Sequence, residues 1–482
     1  MRCLISQQAE ERPEALALWT PERAWTYRAL DSAIAATRHR IRAEGVREGD
    51  RIGLRMPRGA DAVILLWALW RTGAVAVPLS TRLPIDEVSN RAHEIGLAGI
   101  LVEESVERGG AIRHWEAASI VERTGGRPGS EGSEGDRHRP ATLLFTSGST
   151  GTPKAAVHSL HNHIANARGS NENIPLAPGD HWLLALPLYH VGGLAILFRC
   201  ALAGAAVAVS RPDTPLAEAL ERADTTHVSL VATQAQRLLQ LEAWTLPGRM
   251  QAMLLGGSAI PPAVIEAAYD RGWPIHVSYG CTEMASQVTT TPPGASLETL
   301  KTSGWLLPNR QLQIDGSSAS GEEGTGEILL QGDPLLLGYL RTDAERNHAV
   351  DAPIDQDGWY HSGDLGHIDD DGRLHVTGRL DRLFISGGEN IQPEEIEAAL
   401  ERLADVRRAV VIPVSDDAYG QRPVAFVEAE SHAPAEWRDA LSKHLARFKI
   451  PDAFYPMPEE SGSGPLKVDR SRLRKQAHKL RS

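Results

Sequence analysis

Short apolar or β-branched runs recur along the chain and alternate with longer stretches whose apolar positions return every three or four residues. The runs RIGLRM (51–56), GAVAVPL (73–79), AGILV (98–102), AAVAVS (205–210) and HVSLVA (227–232) predict strands, and the stretches between them predict helices. This is the rhythm of βα units, so an α/β fold is expected. The two most apolar stretches, 62–79 and 182–209, are interrupted by Arg71 and by Pro187, His190 and Arg199. They predict buried strands and helices rather than membrane spans.

The pattern breaks in two places. Residues 123–140, RTGGRPGSEGSEGDRHRP, have almost nothing to bury and predict a mobile surface loop. After residue 380, GRLDRLFISGGENIQPEEIEAALERL leads into an acidic helix, followed by a strand in RAVVIPV and a helix near Trp437 to Phe448. The expected organisation is a large N-terminal domain of βα layers, residues 1–380, and a small α+β domain, residues 381–482. No internal repeat and no appended carrier-like module is apparent.

Composition narrows the function. The chain has 482 residues, 42% hydrophobic and 23% charged, enough for more than one core. Its formal net charge of −12 argues against nucleic acid as a main ligand. The one basic run, Lys467 through Arg470, Arg472, Arg474 and Lys475 to Arg481, predicts a solvated helix. Cys3, Cys200 and Cys281 lack paired spacing, which suits a reducing compartment and predicts a cytoplasmic protein. The opening MRCLISQQAEERPEALALW reaches acidic residues before any apolar core, so a signal peptide is not expected. His158, His161 and His163 have no carboxylate or cysteine at ligand spacing, and IDDDGRLHV (368–376) predicts a hairpin turn rather than a calcium loop.

The chemistry is concentrated in a few segments. TSGSTGTPK (146–154) lies between two predicted strands, TLLF and AAVHS. Its backbone N–H groups and the hydroxyls of Thr146, Ser147, Ser149, Thr150 and Thr152 are suited to wrapping a polyphosphate, with Gly148 and Gly151 for flexibility and Lys154 for charge. Pro153 stands where a Walker loop needs glycine, and a strand rather than a helix is expected to follow, so a P-loop ATPase is disfavoured. LLGGSAIPP (254–262) and SYGCTE (278–283) each end an apolar run in glycine, which lets a ligand approach the backbone at the end of a strand. Glu283 is a candidate Mg²⁺ ligand beside phosphates, Asp364 of YHSGDLG (360–366) a candidate acceptor for ribose hydroxyls, and Arg379 of GRLD follows.

Together, in this order, these segments resemble the adenylate-forming superfamily of acyl-CoA synthetases, adenylation domains and luciferases, over essentially the whole chain. The resemblance implies that the 146–154 loop holds the β- and γ-phosphates of ATP. Gly256, Gly257, Ser258 and Ala259, with Tyr279 and Gly280, would border adenine, Thr282 the α-phosphate, and Asp364 and Arg379 the ribose; Thr150 and Glu283 would hold Mg²⁺. It also implies a mobile C-terminal domain that turns about Asp381 and carries a lysine essential for adenylation. The usual Gly-Lys reads SGSGPLKVDR here, with two residues between Gly464 and Lys467, and Lys467 is the candidate. Such a lysine has a physical purpose: one anion attacks another, so the transition state needs neutralising charge.

For the acceptor, SGGENIQPEEIE (386–397) resembles the loop along which pantetheine passes, which implies coenzyme A as a substrate, with Gly387 and Gly388 along the tunnel and Arg447 and Lys449 at its phosphates. His190 of PLYHVGG matches the position that separates the acid pocket from the thiol tunnel. HVSLVATQAQRLL, LLGGSAIPP, SYGCTEMAS, VIPVSDDAYGQRPVAF and the GPLKVDR ending look like those of the o-succinylbenzoate:CoA ligases of menaquinone synthesis. That acid has a second carboxylate to be held, for which Arg237 is the candidate, with Ser229, Thr233 and Gln234 nearby. A ligase for a benzoate-like or medium-chain acid, and an adenylating enzyme that loads a carrier protein, remain as alternatives.

Overall fold

The structure, a computed structural model, describes residues 3–103, 112–123, 136–146, 154–316, 324–343, 347–386, 389–416, 419–458 and 469–481. The five runs named above are strands Arg51–Arg55, Val75–Pro78, Gly99–Val102, Ala206–Ala208 and His227–Leu230. They belong to two large sheets. Leu16–Thr20, His181–Leu183, Ala206–Ala208, His227–Leu230, Ala252–Leu255 and Ile275–Cys281 make the parallel part of a nine-stranded sheet. Arg51–Arg55, Val75–Pro78, Gly99–Val102, His114–Glu116 and Pro140–Thr146 make the parallel part of an eight-stranded one.

The helices between the sheets explain the apolar stretches. Ala60–Thr72 buries eleven of its thirteen residues, Arg71 included. With Tyr27–Ala43, Leu160–Asn173 and Val191–Ala203 it fills one core that also takes Ile52, Leu54, Leu101 and Trp182 from both sheets. Helices Leu216–Arg222, Ala232–Leu239 and Pro262–Asp270 cover the outer face of the first sheet, and Ile85–Glu94 covers that of the second. Strands covered on both faces must be apolar throughout, as Ala252–Leu255 is. Among the described residues no helix is long and apolar enough to cross a membrane.

A four-stranded antiparallel sheet, Arg310–Asp315, Gly326–Gly332, Tyr360–Ile368 and Leu374–Arg379, closes the site edge by packing Ile328, Leu330 and Tyr360 on Met284 and Val288. Its last two strands pair Ile368 with Leu374 across the expected hairpin turn. Residues 124–135 of the predicted loop lie outside the described residues; at its end, Pro140 already opens a strand.

The C-terminal part has its own sheet, Val406–Asp416, Gly420–Ala429 and Phe454–Pro456. Alternation splits its two faces: Val411, Ala425 and Val427 pack on Ile396, Leu400 and Trp437, while Val410, Ile412 and Phe426 pack on Leu473 and Ala477. The basic tail is therefore a docked helix, Arg470–Arg481, and its Arg470 pairs with Glu397 at 2.7 Å. The helix predicted near Trp437 to Phe448 is two pieces, Pro434–Ser442 and the 3₁₀ turn Arg447–Lys449. Pro451 forces Ile450 into an extended conformation and ends the second piece.

Candidate active site

The phosphate-loop segment bridges a hairpin of the second large sheet, in which Thr146 stands opposite Lys154. A strand, Lys154–Ser159, follows the loop, as the sequence predicts. Ser147, Gly148, Ser149, Thr150, Gly151 and Thr152 lie outside the described residues. Lys154 is exposed, and its Nζ lies 5.0 Å from the ring centroid of Tyr339.

The Thr282–Glu283 segment turns between Ile275–Cys281 and Ser286–Thr290, which run antiparallel. Ala285 and Ser286 have φ of 52° and 127°, values that non-glycine residues adopt only when their surroundings impose them. The constraint is visible in the hydrogen bonds. His158 Nε2 meets the Thr282 carbonyl at 2.7 Å, and the Leu336 N–H donates to the Glu283 carbonyl at 2.7 Å. Asn166 Nδ2 donates to the carbonyls of Met284 and Gln287 at 2.8 and 2.9 Å. Burial pushes His158 down to about 4, so the ring is neutral and the carbonyl assigns its proton to Nε2. His163 stacks on Phe198 at 4.8 Å, whereas His161 turns to Asp333 at 3.7 Å.

At Glu283 itself, the Tyr339 hydroxyl donates to Oε1 at 2.6 Å, and the Tyr360 hydroxyl lies 3.4 Å from that of Tyr339. Burial raises both phenols well above their ordinary range, and the Glu283 charge adds to it. Asp364 is gripped from two sides: Tyr279 Oη donates to Oδ2 at 2.7 Å and Arg379 Nη1 to Oδ1 at 2.9 Å. Burial still raises its carboxyl above the usual range, Arg379 offsetting only part of this. Arg379 also holds Asp381 at 3.1 Å.

Gly256 is half-buried, and Gly257, Ser258 and Ala259 stand exposed beyond the strand Ala252–Leu255. Gly280 has a reason within the hairpin, because any Cβ there would collide with the Ser286 carbonyl.

The acid-binding candidates separate. His190 is exposed at the start of Val191–Ala203, its ring 4.7 Å from that of Tyr189. Ser229 is buried and accepts from Trp182 Nε1 at 3.2 Å; Gln234 accepts from the Val231 N–H at 3.1 Å; Thr233 Oγ1 is buried without a partner among the described residues. Arg237 is exposed at the last turn of its helix. A buried cation without a carboxylate partner among the described residues is one that sequence reasoning passed over: Arg199 is 1% exposed, with its guanidinium 5.1 Å from the Trp182 ring and Nη2 3.4 Å from Ser286 Oγ. Its Nε and Nη1 have no partner among the described residues. Burial lowers it to about 9, which leaves it charged at neutral pH. Its only signal in the sequence was an arginine inside an otherwise apolar helical run.

Of the residues expected at coenzyme A, Arg447 is exposed. Lys449 is held by both oxygens of Glu395 at 2.8 and 2.6 Å, so it is an ion-paired group rather than an open cation. Gly387, Gly388 and Lys467 lie outside the described residues.

Three sheets thus bring Lys154, Glu283 and the Tyr279–Asp364–Arg379 cluster together, Lys154 and Glu283 through Tyr339. The chain belongs to the AMP-binding enzyme family, whose model matches residues 5–340, and the AMP-binding enzyme C-terminal domain matches 395–463. It is 35% identical to the 2-succinylbenzoate–CoA ligase of Salmonella typhimurium over 96% of this chain and 95% of that protein. Among solved structures it is similar to the o-succinylbenzoate CoA synthetase of Bacillus subtilis in complex with its acyl-adenylate intermediate, with a TM-score of 0.86, 29% identity, and 98% of this chain and 97% of that one covered. The same synthetase in complex with ATP and a magnesium ion matches with a TM-score of 0.82 and 29% identity, over 94% of this chain and 95% of that one.

Proposed function

We propose that the protein is an ATP-dependent, AMP-forming ligase that converts 2-succinylbenzoate to 2-succinylbenzoyl-CoA through an acyl-adenylate, in menaquinone synthesis. A carboxylate oxygen of the acid attacks the α-phosphorus of ATP and pyrophosphate leaves; the thiol of coenzyme A then attacks the acyl carbon and AMP leaves. Residues 1–380 hold ATP and the acid, and residues 381–482 turn about Asp381 between the two steps. The segment from Thr146 to Thr152 with Lys154 takes the β- and γ-phosphates, Gly256 to Ala259 with Tyr279 and Gly280 border adenine, and Thr282 meets the α-phosphate. Asp364 and Arg379 take the ribose hydroxyls. Lys467 bridges the carboxylate and the α-phosphate. His190 stands between the acid and the thiol, and Gly387, Gly388, Arg447 and Lys449 serve coenzyme A, Lys449 after release from Glu395.

Glu283 fits a magnesium ion, because one carboxylate oxygen is engaged by Tyr339 and the other has no hydrogen-bond partner among the described residues. With Thr150 it would hold the metal, which supplies charge neutralisation at the phosphates. Free thiols at Cys3, Cys200 and Cys281 support a cytoplasmic location.

The observation that supports a diacid is Arg199. An unpaired buried cation is costly, and a second carboxylate would satisfy its two orphan donors. Arg199→Met keeps the volume and removes the charge. It is expected to raise the KM for 2-succinylbenzoate about thirtyfold, on the order of 2 kcal/mol, leave the KM for ATP within about twofold, and raise the melting temperature. Arg237→Ala, at the exposed position, should shift the same KM by less. Steady-state kinetics of both variants test this, and an unchanged KM for the diacid in both would remove the support for a second-carboxylate site.

A further inference from the structure

Glu283 and Lys154 arrive from different sheets, and one side chain touches both. Tyr339 lies on strand Gly338–Thr342, antiparallel to Lys154–Ser159, with Tyr339 opposite Ala156. Lys154 is then its diagonal neighbour on the same face of the sheet, which is why the ammonium sits over the ring at 5.0 Å. The strand reaches this register through Gly338, whose φ of 153° and contact with the Asp351 carbonyl leave no room for a side chain. On the other side the Tyr339 hydroxyl donates to Glu283 Oε1 at 2.6 Å, with Tyr360 Oη 3.4 Å behind it.

We propose that Tyr339 is a positioning residue for adenylation: its hydroxyl fixes one oxygen of Glu283 so that the other faces the metal, and its ring holds the Lys154 ammonium at the phosphate loop. This rests on the reading of Glu283 as a Mg²⁺ ligand and Lys154 as a phosphate cation. The hydroxyl and the ring do separable things. Tyr339→Phe loses the first and keeps the second, while Tyr339→Leu loses both.

The test uses the full chain with a non-hydrolysable ATP analogue. Mn²⁺ binding is read by electron paramagnetic resonance, and analogue binding without metal by calorimetry. Tyr339→Phe is expected to weaken Mn²⁺ binding about tenfold, the size of effect seen when a hydrogen bond to a metal-binding carboxylate is removed, and to leave metal-free analogue affinity within about twofold. Tyr339→Leu is expected to lose Mn²⁺ affinity to the same extent and also about three- to fivefold in metal-free analogue affinity. A loss of folding would not produce this split. Glu283→Gln is the reference. If Glu283→Gln loses Mn²⁺ and Tyr339→Phe binds it like the parent, the role of Tyr339 is overturned. If Glu283→Gln binds Mn²⁺ like the parent, the metal reading of Glu283 fails and the proposal falls with it.

Discussion

Lys467→Ala is expected to lower the rate of acyl-adenylate formation about a thousandfold or more while leaving thioester formation from supplied 2-succinylbenzoyl-adenylate and coenzyme A within a few fold. The magnitude is that of a single cationic donor removed from a phosphoryl-type transition state, where charge accumulates between two anions and no acid or base is needed. In the proposed role the lysine serves only the first half-reaction, so the two are expected to separate. Pyrophosphate release without coenzyme A and single-turnover thiolysis of synthetic adenylate measure them independently. The spacing makes the test sharp: the chain reads Gly464-Pro465-Leu466-Lys467 where a Gly-Lys pair is the family's pattern. An unchanged adenylation rate in Lys467→Ala would mean that another cation does this work.

Asp364→Ala is expected to lower kcat/KM for ATP about a hundredfold. Two charge-assisted or short hydrogen bonds converge on this carboxylate, from Tyr279 at 2.7 Å and Arg379 at 2.9 Å, and each oxygen keeps a further lone pair for a ribose hydroxyl. Truncation removes the acceptor and strands a guanidinium, so the loss exceeds that of one neutral hydrogen bond. Asp364→Asn should fall almost as far, because its NH₂ replaces one of the two acceptor oxygens and leaves either Tyr279 or Arg379 without its acceptor. The pH dependence follows from burial, which raises this carboxyl above its ordinary value. With the ionised form as the proposed ribose acceptor, ATP affinity is expected to be flat above the raised pKa and to fall as the pH is lowered through it. Asp364→Asn should lose that acidic limb. A KM for ATP that Asp364→Asn leaves unaltered would remove Asp364 from the ribose site.

Much of the frame was legible because it depends on local pattern. Ala252–Leu255, Val75–Pro78 and Gly99–Val102 are buried on both faces and read as unbroken apolar runs. The strands on either side of the 146–154 segment were legible from their apolar runs, and the turn between Ile368 and Leu374 from its Asp and Gly residues. What the sequence did not disclose depends on register between distant strands. Tyr339 reaches Glu283 from 56 residues away, and Tyr279 reaches Asp364 from 85. Arg199 looked like an interruption of an apolar run, yet the helix that carries it is buried between two sheets. Arg237, the candidate for the second carboxylate, is exposed on the last turn of Ala232–Leu239, a placement its neighbours in sequence do not show. Lys449 read as an open cation, and helix Pro393–Glu401 supplies it with Glu395. Charge partners are set by tertiary packing, which periodicity does not encode.

One assay tests the acid and the acceptor together. Pyrophosphate release should be measured with ATP and Mg²⁺ on 2-succinylbenzoate, benzoate and octanoate, each with and without coenzyme A. The expected result is sustained turnover with 2-succinylbenzoate alone, dependent on coenzyme A. Comparable turnover of benzoate or octanoate, or sustained turnover without coenzyme A, would contradict it.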